Sequence, residues 1–305
     1  MSVVERALKS IKTAAGVAGS PGERKSIARV TARPAELAEG RGFKVGGKEN
    51  SASRKTVEFD LAMLRDAGLY PMGNRRLADE YRIIKRPLLK AVSKSANEGV
   101  RRPNLIMVAS ALSGEGKTFT SVNLSMSLAS EKDWDVLLVD ADCRKPELSR
   151  LLGVDDQPGL LDLLRDPDLS VESLVLTTNI DRLYVLPLGT PANDAAELLG
   201  SARMSQICEN LAAGKNQLVI WDSSPLLMTT EPVVLSGQCG QVLVVANANK
   251  TPQQAVIDAV ERIDPAAAVG LIMNRAMTGA DTLRYGSYGA YPDNNEETDT
   301  SSSGQ

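Results

Sequence analysis

Residues 110–118, Ser-Ala-Leu-Ser-Gly-Glu-Gly-Lys-Thr, combine residue types that bind phosphate, and they directly follow the apolar run 105–109. A buried strand is predicted to lead into this glycine loop, and a helix is predicted to begin at Lys117 and Thr118. In such a loop the backbone N–H groups and the helix N-terminus face an anion, the lysine adds positive charge, and the threonine hydroxyl can bind Mg²⁺. The pattern predicts a site for nucleotide phosphates.

One position of the loop departs from the common phosphate-loop pattern, which has glycine six residues before its lysine. Ala111 stands there instead. The residues with clear mechanical roles are present, with a predicted strand before them and a predicted helix after them. The predicted nucleotide-binding residues of the loop are Ser113, Gly114, Glu115, Gly116, Lys117, Thr118 and Phe119.

Two aspartates follow a second predicted strand, at 135–140. Asp140 and Asp142 are two positions apart, so their side chains share one face of an extended chain. Such a pair can organise Mg²⁺ and its waters, or accept the proton of an incoming hydroxyl group. Arg144, just beyond, could contact a phosphate or a neighbouring copy of the chain. A loop cap is the alternative interpretation of the two aspartates.

A third acidic residue, Asp222, ends the apolar run 218–221 and is followed by Pro225, which restricts the turn. This form is expected of the aspartate that orients Mg²⁺ in phosphate-loop proteins. Asn274 ends another predicted strand and could contact the nucleotide base, or it could simply form a turn. The predicted catalytic residues are Lys117, Asp140, Asp142 and Asp222, the predicted metal ligands are Thr118, Asp140 and Asp222, and Arg144 and Asn274 complete the predicted nucleotide contacts.

Three of the six tyrosines, Tyr285, Tyr288 and Tyr291, are close together near the end of the chain and are separated by glycine, serine and alanine. Their spacing does not predict a place in a core. A phenol on a flexible arm is a suitable phosphoryl acceptor, and each phosphate would add about −1.5 to −2 charges. We predict these three as phosphorylation sites; the alternative is that they form adhesive contacts of a tail.

The intervening stretches predict alternating strands and helices, which indicate βαβ units with right-handed crossovers. We therefore predict an α/β fold of the P-loop NTPase type, with a mainly parallel sheet, helices on both faces and ligands at the carboxyl ends of the strands. The predicted strands lie at 104–109, 135–140, 183–187, 217–222, 241–246 and 268–273. The predicted helices lie at 116–130, 146–152, 194–212, 231–237 and 252–263.

The two ends of the chain differ in composition from its centre. Residues 1–75 are rich in Gly, Ser, Ala, Lys and Arg, which predicts a basic, largely disordered extension with a short amphipathic helix at 3–14. The P-loop domain is predicted over 76–280. Residues 281–305 are predicted to form a flexible tail that carries the tyrosine cluster.

A further helix is predicted over 77–93, with a charged stripe that contains Asp79, Arg82 and Lys85 at intervals of three residues. Stripes of this kind are usually solvated. The alternative is that the stripe forms one half of a contact between copies of the chain.

Composition restricts the function classes. The 305 residues carry a net charge of −3, but residues 1–102 hold 22 Lys and Arg against 11 Asp and Glu. That segment could approach anionic lipid or an acidic partner, or be solvated. Nucleic acid is not a predicted partner, because aromatic residues do not alternate with the basic ones. The chain has no histidine, which excludes His-based mechanisms, and no apolar stretch of the length that spans a bilayer.

Taken together, the motifs resemble those of the bacterial tyrosine kinases, P-loop autokinases that are paired with chain-length determinants of polysaccharide synthesis. The resemblance covers about residues 77–291 and rests on the loop 110–118, on Asp140 and Asp142, on the strand end at 222–225 and on the terminal tyrosines. With its basic extension, the chain looks most like the exosortase-associated branch of these autokinases.

The resemblance implies an ATP-dependent protein-tyrosine autokinase that regulates exopolysaccharide polymerisation or export, with Mg²⁺ as cofactor. Lys117 would bind the β- and γ-phosphates, and Thr118 and Asp222 would hold Mg²⁺. Asp140 would activate the tyrosine hydroxyl with help from Asp142. The tyrosines of one copy would be phosphorylated by the next copy around a ring.

The resemblance also implies partners. The ring contact of the family uses a helix with Glu-x-x-Arg-x-x-Arg, for which this chain has Asp79, Arg82 and Lys85. The signs of the charges are kept, but lysine lacks the planar bidentate fork of arginine. Activation would come from the cytoplasmic segment of a membrane chain-length determinant, a polysaccharide co-polymerase expected to be a separate polypeptide. The expected location is cytoplasmic, at the inner face of the membrane through that partner.

Two other functions are compatible with the same motifs. Partition and site-selection ATPases of the MinD and ParA type share the fold, but they carry a second lysine five residues before the main one, where this chain has Leu112. The other alternative is a nucleotide-gated scaffold, in which ATP sets the oligomeric state and little phosphoryl transfer occurs.

Overall fold

The structure, a computed structural model, describes residues 27–32, 55–98, 101–214 and 216–276. The helix predicted at 3–14 and the tail predicted over 281–305 lie outside the described residues. Within the described ranges, no helix is both long and apolar enough to cross a bilayer.

A single mixed sheet of nine strands forms the centre of the described residues, in the order β1-β2-β5-β6-β4-β7-β3-β8-β9. The six strands from β6 to β9 in this order are parallel to their neighbours, whereas β5 is antiparallel to β6, and β1 is antiparallel to β2. The strands are β1 Ala28–Ala32, β2 Lys55–Phe59, β3 Leu105–Ser110, β4 Asp135–Ala141, β5 Leu176–Thr178, β6 Leu183–Leu186, β7 Gln217–Ser223, β8 Gln241–Asn247 and β9 Ala268–Asn274.

Helices cover both faces of the sheet, as βαβ connections require. They are α1 Leu61–Asp66, α2 Arg75–Glu98, α3 Lys117–Ala129, α4 Glu147–Leu151, α5 Leu160–Arg165, α6 Val171–Leu174, α7 Ala195–Leu199, α8 Ala202–Ala212, α9 Glu231–Ser236 and α10 Gln253–Glu261, with a 3₁₀ turn at Pro71–Gly73.

The central strands are buried on both faces, which explains their continuous apolar runs. In β3, Met107 belongs to one apolar cluster, which is completed by side chains of α5, α8 and α9. Its neighbours Ile106 and Val108 belong to a second cluster on the other face, which is completed by α2, α3 and α4. The sheet is therefore a rigid layer whose carboxyl edge can hold polar side chains in fixed positions.

The predicted α/β architecture is confirmed. Each of the six predicted strands is present, and so is each helix predicted from residue 77 to 263. The helix predicted over 194–212 is divided at Gly200, because the Ser201 side chain caps a second helix by accepting from Met204 N at 3.1 Å. Helices α5 and α6 and strand β5 were not predicted, since three to six residues are too few to show a period.

The amino-terminal part of the sheet is the main feature that the sequence did not predict. Strands β1 and β2 and helix α1 all lie before residue 76, in the segment expected to be largely disordered. Strand β2 is parallel to β5, and the Asn179 side chain bonds both backbone groups of Phe59, at 2.9 and 3.0 Å. Partners this distant in sequence leave no local pattern. The boundary at residue 75 itself stays a prediction.

We expect Phe59→Ala to lower the free energy of unfolding by about 3–5 kcal/mol, because it removes a large side chain that is 4% exposed in the apolar cluster beneath β2. Glu58→Ala, at an exposed position of the same strand, serves as the control and should change it by less than about 0.5 kcal/mol. Denaturant titration measures both. A small effect of Phe59→Ala would contradict the place of β2 in the fold.

Candidate active site

The strand order brings the acidic motifs together. Strands β4, β7 and β3 are adjacent and parallel, and in their register Asp140 lies opposite Asp222, which in turn lies opposite Val108. Both aspartates are fully buried. The two strand-end carboxylates predicted from the sequence are thus neighbours at the edge of the sheet where parallel α/β folds bind ligands.

The phosphate loop joins β3 to α3 and has the backbone of an anion cradle. Gly114 and Gly116 both have positive φ angles, of 79° and 101°. A Cβ atom at Gly116 would lie 2.1 Å from Asn274 Nδ2, so only glycine fits there. A Cβ at Gly114 would meet no atom within 4 Å, which shows open space above the loop. The helix that follows begins at Lys117, where its N–H groups face the loop.

Asp222 is the centre of a hydroxyl network. Thr118 Oγ1 donates to Asp222 Oδ2 at 2.7 Å, and Ser121 Oγ donates to Asp222 Oδ1 at 3.0 Å. Burial and the charge of Asp140 raise the pKa of Asp222 to about 7, although Lys117 opposes this shift. A carboxylate with this environment favours a nearby cation.

Asp140 is held by the backbone on both oxygens. Its Oδ2 accepts from Ser149 N at 2.8 Å and from Ser149 Oγ at 2.6 Å, and its Oδ1 accepts from Asp142 N at 3.1 Å. Burial raises the pKa of Asp140 to about 6 in spite of these bonds. The pKa therefore lies in the range where a carboxylate is an effective base near neutral pH.

Asp142, the fourth predicted catalytic residue, lies beside this pair. Its Oδ1 accepts from Lys145 N at 3.0 Å and from Ser224 Oγ at 2.8 Å, so the loops after β4 and β7 are joined through it. Arg144 is exposed on the same loop. The Asp142 side chain thus has the loop-capping role that the sequence left open, and it remains at the edge of the site.

The oxygen donors fit Mg²⁺. Thr118, Asp140 and Asp222 supply hard oxygen atoms, and two adjacent buried carboxylates are stabilised by a divalent cation. Among the described residues, no group of three or more His, Cys, Asp and Glu side chains could hold a metal ion by itself. In a Mg²⁺ site, phosphate oxygens and waters would complete the coordination, as is usual for this ion.

Three predicted nucleotide contacts have side chains with another role. The Glu115 carboxylate is buried, accepts from Leu112 N at 2.7 Å and is bonded by the Thr251 hydroxyl. Asn274 Nδ2 donates to Glu115 O at 2.8 Å, so Asn274 holds the phosphate loop instead of standing free to meet a base. Phe119 packs against an apolar cluster. The side chains of Glu115 and Asn274 thus support the phosphate loop.

The prediction that Lys85 forms an outward contact between copies is wrong for its side chain. It is 7% exposed, and its Nζ lies 2.6 Å from Glu131 Oε1 and donates to Ser127 O at 2.7 Å and Ser130 Oγ at 3.3 Å. Lys85 therefore caps the C-terminus of α3, the helix that begins at the phosphate loop. Charge spacing alone could not distinguish this buried position from a surface one.

Asp79 and Arg82 do lie on the exposed face of α2, where they form an ion pair. Their proposed contact with a second copy stays a prediction. The predicted acceptors Tyr285, Tyr288 and Tyr291 lie outside the described residues.

Sequence reasoning missed the hydroxyl groups that position the carboxylates, namely those of Ser121, Ser149 and Ser224. For Ser121 a signal exists, because it lies one helical turn after Thr118 and so faces the same side. Ser149 and Ser224 reach their aspartates through the tertiary fold, and no local pattern announces them.

Known proteins resemble this chain over the region that contains the site. Residues 106–236 match a family described as the CobQ/CobB/MinD/ParA nucleotide binding domain. The putative tyrosine-protein kinase EpsB of Ralstonia nicotianae is 31% identical over 225 residues, which are 71% of this chain and 29% of that protein. The tyrosine-protein kinase YwqD of Bacillus subtilis is 29% identical over 191 residues, 63% of this chain and 78% of that protein.

Solved structures give the same result. The VpsO kinase domain superposes with a TM-score of 0.53 at 29% identity and covers 65% of this chain and 100% of that one. The BceF tyrosine kinase domain has a TM-score of 0.55 at 26% identity, over 69% of this chain and 86% of that one.

The fold and the phosphate loop are those of a P-loop NTPase-like domain, and residues 106–236 are similar to the nucleotide binding domain of the MinD and ParA type. Within that class, the relatives named above are tyrosine-protein kinases, which confirms the resemblance drawn from the sequence motifs. The chain spans less than a third of the length of EpsB and about four fifths of that of YwqD.

The raised pKa values predict how the metal-free protein responds to pH. Asp222 and Asp140 keep their protons in the folded state at pH values where the unfolded chain has lost them, so their contribution to stability falls as pH rises from about 4 to about 7. Thermal unfolding in EDTA at pH 5 and pH 8 measures this loss. It should be smaller in Asp222→Asn, and an unchanged slope in that variant would contradict the assignment.

We expect Lys85→Met to lower the free energy of unfolding by about 1–3 kcal/mol, because the buried ammonium group no longer donates to Ser127 O or pairs with Glu131. Arg82→Met is the matched control on the same helix and should change it by less than about 1 kcal/mol, since its ion pair is exposed. Equal effects of the two substitutions in denaturant titration would count against the internal role of Lys85.

Proposed function

We propose that this chain is an ATP-dependent protein-tyrosine kinase whose acceptors are Tyr285, Tyr288 and Tyr291 of a second copy. The observation that carries the proposal is the pair of buried carboxylates, Asp140 and Asp222, side by side at the strand ends next to the phosphate loop. Similarity to proteins named tyrosine-protein kinases supports tyrosine as the acceptor.

On the donor side, the loop amides of 113–118 and the N-terminus of α3 bind the triphosphate, and Lys117 places its charge at the β- and γ-phosphates. When bound, Mg²⁺ would neutralise the negative charge that these phosphates carry during transfer. Thr118 and Asp222 would hold it, because their oxygens already lie 2.7 Å apart at the edge of the loop.

On the acceptor side, Asp140 takes the proton of the tyrosine hydroxyl. Its Oδ1 accepts from Asp142 N, which leaves a second lone pair on that oxygen for the phenol. The phenol oxygen forms a bond to the γ-phosphorus as the bond from that phosphorus to the ADP oxygen breaks, and the proton moves to Asp140. Asp142 and Ser224 fix the loops on either side of this carboxylate.

The partners follow from the resemblance and are part of the proposal. Self-association through the exposed face of α2, with Asp79 and Arg82, would bring the tail of one copy to the site of the next. A membrane polysaccharide co-polymerase is the proposed activator, and it would hold the kinase at the inner face of the membrane. The regulated process would be exopolysaccharide polymerisation or export.

A site-selection ATPase of the MinD and ParA type is the alternative enzyme, because it shares the fold. Leu112 argues against it, since those proteins have their second lysine at this position. A nucleotide-gated scaffold would bind ATP and turn it over little.

We expect the purified chain, incubated with ATP and Mg²⁺, to become phosphorylated on Tyr285, Tyr288 and Tyr291, as mapped by mass spectrometry. Lys117→Met should lower the rate by about a hundredfold or more, because it removes a charge that stabilises the transition state. Asp140→Asn should abolish phosphorylation and leave ATP binding largely intact.

Tyr70→Phe, outside the tail, is the control for the triple replacement of the tail tyrosines by phenylalanine, and it should leave the signal unchanged. Hydrolysis of ATP without phosphotyrosine would select the ATPase alternative. Binding with neither activity would select the scaffold. Loss of ATP binding in Asp140→Asn would show that this residue is structural.

A further inference from the structure

Two exposed apolar side chains, Leu112 and Met228, stand at the rim of the active site. They are 36% and 61% exposed, whereas the apolar side chains of β3, β4 and β7 around them are buried. Neither is used in phosphate binding or in the carboxylate network. Leu112 moreover occupies the position at which the related ATPases have their second lysine, so the chain has an apolar group where they have a charge.

The fold places these two residues next to each other. The segment after β7 runs along the start of the phosphate loop, with Leu226 N donating to Ser110 O at 2.8 Å and Leu227 N donating to Ala111 O at 3.3 Å. Leu112 and Met228 each follow a member of this second pair by one residue. Their backbones are therefore neighbours beside the phosphate loop, and we call the two exposed side chains the Leu112–Met228 rim.

The rim is held rigidly from below. Leu112 N donates to the Glu115 carboxylate at 2.7 Å, and Leu112 O accepts from Ser110 Oγ at 2.7 Å. Met228 N donates to Pro225 O at 3.2 Å. With both backbones fixed, the side chains are available for contact at little further loss of conformational freedom.

We propose that the Leu112–Met228 rim is the acceptor subsite, which binds the aromatic ring of the tyrosine that receives the phosphoryl group; this rests on the proposed kinase function. A phenol is apolar along its ring and polar at its tip. The rim offers apolar contact and a thioether, which packs well against aromatic rings. Asp222 is the penultimate residue of β7 and Asp142 directly follows β4, so these carboxylates lie at the same edge of the sheet as the loops that carry the rim.

The origin of the occupant is indicated by where the described chain ends. Strand β9 ends at Asn274, which is bonded to the phosphate loop, and the described residues stop at 276. Tyr285 follows nine residues later, a stretch that spans at most about 30 Å. The first of the three tyrosines is therefore joined to the described chain at most about 30 Å from its last residue, in a segment that also contains glycine and serine. The acceptor is such a tyrosine, from a second copy of this chain.

The test uses the full chain with Tyr285, Tyr288 and Tyr291 replaced by phenylalanine, so that only an added peptide is phosphorylated. The peptide has the sequence of residues 280–294. Leu112→Ser and Met228→Ser should each raise the KM for the peptide at least fivefold, with the KM for ATP and kcat within about twofold of the parent. Leu112→Ile and Met228→Leu should restore the parental KM.

Leu61→Ser is the matched control, since Leu61 is 38% exposed, close to the value for Leu112, but lies on α1. It should leave all three constants unchanged. A second measurement tests ring recognition directly. The same peptide with phenylalanine in place of its tyrosines should inhibit the parent about tenfold better than the alanine version, and this difference should fall below twofold in the Leu112→Ser/Met228→Ser double variant.

The outcomes separate this proposal from the proposed function. An unchanged peptide KM in both serine variants, with an active parent, overturns the subsite and leaves the kinase. Lower sedimentation size in the variants with an unchanged KM shows a contact between copies, and also overturns it. If the parent phosphorylates no peptide, the kinase proposal fails. Fluorescence anisotropy of the labelled peptide with ADP and Mg²⁺ then decides whether the subsite exists. Peptide binding that is weakened by the serine variants but not by Leu61→Ser supports the subsite, and any other result overturns it.

Discussion

The pairing of Asp140 with Asp222 across adjacent strands is the constraint on which the site depends. Two buried carboxylates repel each other, and burial alone penalises their charged forms. The protein compensates with hydroxyl and amide donors from Thr118, Ser121 and Ser149 and with the charge of Lys117. These donors come from α3 and α4, which pack on the same face of the sheet, so that face is arranged around this one unfavourable contact.

Helix α3, which begins at the phosphate loop, connects the site to the surface helix α2. Helix α3 carries Thr118 and Ser121 at one end, and Lys85 of α2 caps its other end. Between these points, the buried Tyr81 is hydrogen-bonded to Thr120. Burial raises the pKa of Tyr81 above its usual value. Helix α2 is thus bonded to the helix that begins at the phosphate loop.

The sequence was sufficient to predict those residues whose reactive side chain stands at the end of a recognisable strand. The apolar runs that end in Asp140 and Asp222 predict both the strands and their polar ends, because central parallel strands are apolar throughout and their ends face the ligand. Lys85 was misplaced since a charged stripe does not reveal which of its members a neighbouring helix covers. Glu115 and Asn274 hold each other's segments from positions 159 residues apart. Such tertiary hydrogen bonds have no local signature, and neither does the pairing of β2.

The pairing of β2 with β5 also affects the order in which the chain folds during synthesis. The hydroxyl groups of Thr56 and Thr177 meet across 121 positions. On the ribosome, β1 and β2 emerge long before β5, the strand with which β2 pairs. An isolated two-stranded hairpin is only marginally stable in water. Contacts between such distant segments form slowly. The outer margin of the sheet therefore closes late, and newly made chains expose this margin to chaperones and proteases until synthesis has passed well beyond the phosphate loop.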